Sequence, residues 1–233
     1  MTLTHSTKNV WTNQQRLSVF DVPHKGVRNA LSQFSLLAGQ TDYATPAAVT
    51  RLYRLGNQVF RFLTLHAHHE NDVTLKYLET RAPGAATHNL DEHEELEAFQ
   101  RQLEQKLEQM HVQSSEGADV SDLGALFYQQ FTELHAMHLQ HMLEEERETQ
   151  LAMWKYFTDE ELIGQRREII GNTKPDDLLL SYRFIIPAHS QQQRVNLLRG
   201  IRANAPAAFF SAILTTIQEV LPNEEFTRLV SML

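Results

Sequence analysis

The sequence predicts an all-α protein, and three observations support this fold class. Apolar residues recur at helical spacing along most of the chain, no segment shows strand-like alternation, and Gly or Pro residues separate the periodic segments. With 233 residues, of which 42% are hydrophobic and 21% charged, the composition is ordinary for a globular protein. This length allows one sizeable helical core with a smaller appended unit.

The composition excludes several kinds of site. The chain has no cysteine, which rules out disulfides, thiolate zinc sites, iron–sulfur clusters and cysteine nucleophiles. A formal charge of −8 without a basic stripe argues against a nucleic-acid partner. No apolar run approaches the roughly 20 residues of a membrane span, and the N-terminus lacks signal-peptide features, so we expect a cytoplasmic protein without a membrane partner.

The first two long helices follow clear start and stop signals. Residues 1–20 are polar and aperiodic and are predicted to form an N-terminal arm. Helix one follows Pro23 and ends near Gly39. The second helix begins with Thr45 as N-cap and Pro46 in the first turn, and it extends to about residue 79.

Two further long helices complete a predicted antiparallel, up-down four-helix bundle over residues 21–165. The third is predicted from about Asn89 to Met110, and the fourth from about Asp122 to Tyr156. Thr158 and Glu161 then match a capping box for another helix. Short connections between consecutive long helices make neighbours antiparallel.

The C-terminal part has a different pattern. Residues 166–233 are predicted to form a small helical subdomain with short helices near 176–185, 190–203, 206–221 and 223–232.

One spacing of chemical interest occurs twice. Glu70 lies four residues after His66, and Glu145 lies four residues after His141. On a helix, residues i and i+4 share a face, so each pair can bind one metal ion. The second carboxylate oxygen of each Glu can then bridge to a neighbouring ion.

Histidines on the other two bundle helices extend this set. His24 lies on helix one and His93 on helix three, so every helix of the bundle supplies an imidazole. Nitrogen and oxygen ligands without sulfur favour iron, manganese or zinc, and bridging carboxylates favour a dinuclear iron or manganese site. Because such ligands are buried, metal binding should contribute to folding stability.

Simpler interpretations exist for each motif. A single His-x-x-x-Glu pair often forms only a mild local interaction on an exposed helix face. His88, which is predicted to lie in the loop before helix three, is an alternative to His93 as a metal ligand. His138 is a candidate to orient a ligand, and Glu144 is a fallback ligand. The remaining histidines are predicted to be structural, solvated or in a supporting shell: His5, His68, His69, His111, His135 and His189.

These motifs resemble the hemerythrin-like, or HHE cation-binding, family over residues 20–165. The matching segments are FDVPHKGVRNAL, LHAHHENDVTLKYLE and HMLEEERETQLAMWKYFTDEEL. The segment IIPAHSQQQRVNLLRGIRANAPAAFF resembles the C-terminal extension of a bacterial subset. The resemblance implies two iron ions with an oxo or carboxylate bridge, and manganese and zinc are alternative metals. It also implies that Glu70 and Glu145 bridge the two ions. The full set of implied ligands is His24, His66, Glu70, His93, His141 and Glu145.

The chain departs from the oxygen-carrying members at one position. They have two histidines four residues apart on helix three, whereas Asn89 stands four residues before His93 here. We therefore expect one imidazole fewer, with an open or water-filled position, which favours reactivity toward oxygen, peroxide or nitric oxide over simple oxygen carriage. A ferritin-like site fits poorly, because the only clear helical Glu-x-x-His is Glu108–His111.

Three functions follow from these observations. The first is a non-haem di-metal protein that binds or senses O2, NO or peroxide, or handles iron. The second is a di-iron oxidase or peroxidase, which for an organic substrate needs an apolar pocket beside the metals. The third is a zinc-binding or metal-free helical scaffold, with the C-terminal helices as a surface for a protein partner or self-association.

Overall fold

The computed structural model describes residues 16–233, and these residues form helices without any strand, which confirms the all-α class. The predicted N-terminal arm, apart from residues 16–20, and His5 lie outside the described residues. Within residues 16–233 no helix is both long and apolar enough to cross a membrane. The helices are α1 (Asp21–Gln40), α2 (Pro46–His69), α3 (Lys76–Arg81), α4 (Thr87–Ser115), α5 (Ser121–Glu144), α6 (Gln150–Tyr156), α7 (Asp159–Asn172), α8 (Pro175–Ile185), α9 (Gln191–Asn204), α10 (Ala207–Gln218) and α11 (Asn223–Ser231).

Two π-helical segments interrupt the long second and fourth predicted helices. Segment π1 (Glu70–Leu75) joins α2 to α3, and segment π2 (Glu145–Thr149) joins α5 to α6. Each segment begins at the glutamate of a His-x-x-x-Glu motif. A π turn bonds residue i to residue i+5 and is therefore wider than an α turn, and such turns are frequent at functional sites.

The helix boundaries confirm some sequence signals and correct others. Thr158 and Glu161 form both halves of the predicted capping box. Pro46 occupies the first turn of α2, but the Thr45 hydroxyl donates to Asp42 instead of capping the helix. Helix α4 begins before Asn89 and includes His88, so the prediction that His88 lies in a loop was wrong.

Four helices enclose the main core. Helix α1 packs against α2 and α5, α4 packs against α2 and α5, and the four make a closed cycle of contacts. Buried aromatic rings fill the middle, with Phe34 and Phe131 edge to face at 4.6 Å between ring centroids. Burying each such ring stabilises the fold by about 1.5–3 kcal/mol, which fixes the helix positions around the site.

Helix α8 joins this core to the C-terminal helices. Phe184 of α8 is buried with the main core, and Asn29 of α1 donates a hydrogen bond to its carbonyl. Gly26 permits the contact, because a Cβ there would lie 2.6 Å from Ile185 Cγ1. Leu179 and Tyr182 of α8, and Ile186 directly after it, pack in a second core formed with α9, α10 and α11. The predicted boundary at residue 166 stays a prediction.

Candidate metal centre

The structure brings all six predicted ligand residues together in the main core. They form two groups of four, in each of which the donor atoms all lie within 4.8 Å of one another. Glu70 and Glu145 belong to both groups. All six residues are buried. These buried His/Glu groups could hold a metal ion. The first group consists of His24, His66, Glu70 and Glu145. The second group consists of Glu70, His93, His141 and Glu145.

In the first group, two imidazoles approach the shared carboxylates from α1 and α2. His24 Nε2 lies 3.5 Å from Glu70 Oε1 and 3.2 Å from Glu145 Oε2. His66 Nε2 lies 3.3 Å from Glu70 Oε2. The two carboxylates therefore lie between helices that are distant in sequence.

In the second group, the imidazoles come from α4 and α5. His93 Nε2 lies 3.5 Å from Glu70 Oε2, and His141 Nε2 lies 3.3 Å from Glu145 Oε2. The two Nε2 atoms are 2.9 Å apart. Both rings thus direct the same nitrogen toward one point.

The hydrogen bonds of the Nδ1 atoms determine whether the Nε2 atoms of these imidazoles present a proton or a lone pair. Nδ1 of His24 lies 2.9 Å from Glu146 Oε1. Nδ1 of His93 lies 2.6 Å from Asn71 Oδ1, and Nδ1 of His141 lies 2.8 Å from Glu92 Oε2. These oxygens only accept hydrogen bonds, so each Nδ1 carries the proton and donates. In a neutral ring Nε2 then points a lone pair at the centre. A metal-binding histidine usually donates its other ring N–H to a carboxylate or carbonyl oxygen in this way.

Several buried polar atoms have no protein partner among the described residues. They include Nε2 of His24 and His66 and both carboxylate oxygens of Glu70 and of Glu145. Buried polar groups are normally hydrogen-bonded, and leaving one unpaired costs about 1–3 kcal/mol. A cation at the centre would satisfy these atoms and relieve the repulsion between the facing lone pairs of His93 and His141. The residues therefore fit a metal.

Burial shifts the protonation of the carboxylates and of most imidazoles. It raises the pKa of Glu145 to about 8, with help from the nearby Glu70 charge, and it raises the pKa of Glu70 well above 4.5. Burial lowers the pKa of His93 to about 3 and that of His141 to about 4, so both rings are neutral near pH 7. Metal binding would need the neutral imidazoles as they stand but would displace protons from the carboxyls.

His24 and His66 differ in their surroundings. Burial and the neighbouring imidazoles lower the pKa of His66 well below 6.5. Burial also acts to lower the pKa of His24, but the neighbouring Glu145 and Glu146 carboxylates outweigh it and the pKa is raised. Arg28 in turn donates to Glu146 at 2.7 Å. An ion-paired chain therefore anchors the α1 histidine.

Adjacent residues at the start of each π segment both contact the site. Consecutive residues of an α-helix point roughly 100° apart, so residues i and i+1 normally face different directions. In π1, Glu70 faces the centre while Asn71 reaches His93; in π2, Glu145 faces the centre while Glu146 reaches His24. Sequence reasoning missed Asn71, Glu146 and Glu92, although a polar residue directly after each motif glutamate was an available signal.

Asn89 has a defined partner. It is buried, and its Oδ1 accepts a hydrogen bond of 2.9 Å from the Thr149 hydroxyl at the end of π2. This bond ties α4 to the segment that carries Glu145. The residue that departs from the oxygen-carrier pattern thus helps to position a site carboxylate.

The competing residues lie outside both groups. His88 has an exposed side chain and contacts Glu92 and Glu144, with which it forms a third, more exposed group. His138 is buried but belongs to neither group. Other histidines have structural contacts: His69 with Thr173, His111 stacked on Tyr53, His135 with Ser35 and His189 with the Ile185 carbonyl.

Two cavities border this region. The first, of about 10 Å³, has room for about one water molecule, and its walls are Leu63, His66, Ala67, His93, Leu96, Glu97, Gln100, His138 and His141. The second, of about 240 Å³, lies at the outer side of α2 and π1 against α7 and α8. None of the six site residues lines this larger cavity.

Comparison with known proteins identifies no relative of this chain. No family model, no curated protein and no solved structure matches the chain. The resemblance to hemerythrin-like proteins therefore stays a prediction, and the site is interpreted from its own geometry.

Proposed function

We propose that the chain is a non-haem dinuclear metal protein, with iron as its metal, that binds O2, NO or peroxide. In this proposal α1, α2, α4 and α5 form an antiparallel four-helix bundle of the hemerythrin-like kind. The observation that carries it is the sharing of Glu70 and Glu145 between two groups that each add two imidazoles.

The positions of the carboxylate oxygens support two ions. Glu70 Oε1 lies near His24, whereas its Oε2 lies near His66 and His93. One carboxylate thus contacts imidazoles of both groups. Glu145 Oε2 likewise lies near His24 of one group and His141 of the other. Both carboxylates have the placement that a bridging ligand needs.

The donor set supports iron. Imidazole and carboxylate donors suit iron, manganese and zinc, and no cysteine is present to select softer metals. Structural zinc sites are usually closed tetrahedra that use each ligand for one ion, whereas here two ligands are shared. When bound, iron would supply redox chemistry and affinity for small ligands; the protein supplies the neutral imidazoles and the buried setting.

The size of the adjacent cavity supports a small ligand. A cavity of about 10 Å³ beside His66, His93 and His141 has no room for an organic substrate. The size of this cavity therefore does not favour the hypothesis of an oxidase for organic molecules. A metal-free scaffold leaves the unpartnered buried atoms of Glu70 and Glu145 unexplained.

The test is the metal content of protein purified without an affinity tag. We expect about two irons per chain, together with the near-ultraviolet absorption of bridged ferric iron. Glu145→Ala should lose metal, whereas His69→Ala should retain it, because His69 lies outside both groups. Equal metal content in both variants, or a wild-type chain that takes up no metal when supplied with ferrous iron, would refute the proposal.

A further inference from the structure

His138 is a buried imidazole without an assigned role. It lies on α5, one turn before His141, and only 7% of its surface is exposed. Its Nε2 atom has no hydrogen-bond partner among the described residues. Because an unpaired buried polar group is unfavourable, its retention calls for a partner outside the protein.

The position of His138 separates it from the six site residues. It belongs to neither of the four-residue groups, so its ring nitrogens do not lie within 4.8 Å of all the donor atoms of either group. It does line the small cavity, together with His66, His93 and His141. The cavity thus has site imidazoles on its wall and an additional imidazole beside them.

Among the cavity walls outside the six site residues, His138 is the residue whose buried nitrogen has no partner among the described residues. Leu63, Ala67 and Leu96 are apolar. Gln100 Nε2 already donates to the Phe60 carbonyl and the Thr64 hydroxyl, and Glu97 pairs with an arginine on the surface of α4.

We propose that His138 binds the small ligand of this site, donating a hydrogen bond from Nε2 to the outer atom of a diatomic molecule or peroxide, with that atom in the cavity. The inference rests on the proposed function, because the other end of such a ligand faces His66, His93 and His141. The cavity has room for about one water molecule, so it accepts only the outer atom of a ligand whose other end lies at the metal centre. With its proton on Nε2, the ring is a donor for an oxygen or nitrogen lone pair.

The experiment uses the full-length, iron-loaded chain with azide as the probe. His138→Leu removes the hydrogen bond at similar volume, and His138→Gln keeps an N–H donor. His135→Leu is the matched control, since His135 lies on the same helix, contacts Ser35 and does not line the cavity. Azide affinity is measured by optical titration, and the infrared antisymmetric stretch of bound azide reports the hydrogen bond independently.

We expect wild-type iron content in all three variants. Azide affinity should fall about tenfold in His138→Leu, as expected for one lost hydrogen bond, and the azide stretch should shift. His138→Gln should recover part of the affinity, and His135→Leu should match the wild type.

Three other results would overturn the inference. Unchanged azide affinity and stretch in His138→Leu would show that the ring does not touch the ligand. A loss of about one iron in both His138 variants would make His138 a metal ligand instead. A wild-type chain that holds no metal would refute the proposed function itself, and the inference with it; iron content distinguishes this failure from the first.

Discussion

Replacing Glu145 by glutamine should make the metal-free protein more resistant to alkaline pH, even though it removes a site carboxylate. Glu145 is fully buried, and its folded-state pKa is raised from 4.5 to about 8. Because its folded-state pKa is raised, the contribution of Glu145 to the free energy of unfolding is fully present below pH 4.5 and is lost as the pH rises through 8. Glutamine keeps the shape but has no proton to lose.

The expected magnitude follows from that pKa. Relative to an uncharged residue, Glu145 should lower the free energy of unfolding of the metal-free protein by about 2 kcal/mol at pH 6 and by about 5 kcal/mol at pH 9. The wild type should therefore lose about 3 kcal/mol more than Glu145→Gln between these two pH values.

The assay is urea unfolding of the metal-free proteins at pH 6 and pH 9, with a chelator present. Glu148→Gln is the control, because Glu148 lies on the same π segment with an exposed side chain. The control should follow the wild type at both pH values. If Glu145→Gln shows the same pH dependence as the wild type, the carboxyl is not buried as described and the reasoning fails.

Four further predictions concern metal content, proton release, packing of the main core and independence of the second core. His66→Leu should retain about one ion per chain, whereas Glu70→Gln should retain close to none, because Glu70 belongs to both groups. Elemental analysis measures the metal content, and equal losses in the two variants would contradict this prediction. Binding of ferrous iron should release more protons at pH 7 than at pH 9, because Glu145, whose pKa is raised to about 8, is mostly protonated at pH 7 and must lose its proton to bind a metal. A dye assay in weak buffer measures the released protons, and equal release at both pH values would contradict this prediction. Phe184→Ala should cost about 3–5 kcal/mol of stability, measured by urea unfolding, because this ring fills the main core. Leu198→Ala in the second core should leave the iron content unchanged, and a loss of iron there would show that the two cores are coupled.

The local pattern of the sequence determined the helices and the six candidate ligands. Apolar spacing and capping signals such as Thr158 with Glu161 act over a few residues, so they can be read directly from the chain. The His-x-x-x-Glu spacing is equally local, because one helical turn places His66 beside Glu70. His88 was misplaced because the start of α4 carries no strong cap: its N-cap residue, Ala86, makes no side-chain hydrogen bond.

Only the tertiary structure decided which residues support the ligands. Asn71, Glu92 and Glu146 bind the outer nitrogens of three imidazoles, and each bond joins residues at least 22 positions apart, a distance that no local spacing encodes. The same holds for the cavity beside His138, which exists only where α2, α4 and α5 meet. The sequence determined which side chains each helix presents, because that depends on a local repeat; which of them meet depends on how the helices pack.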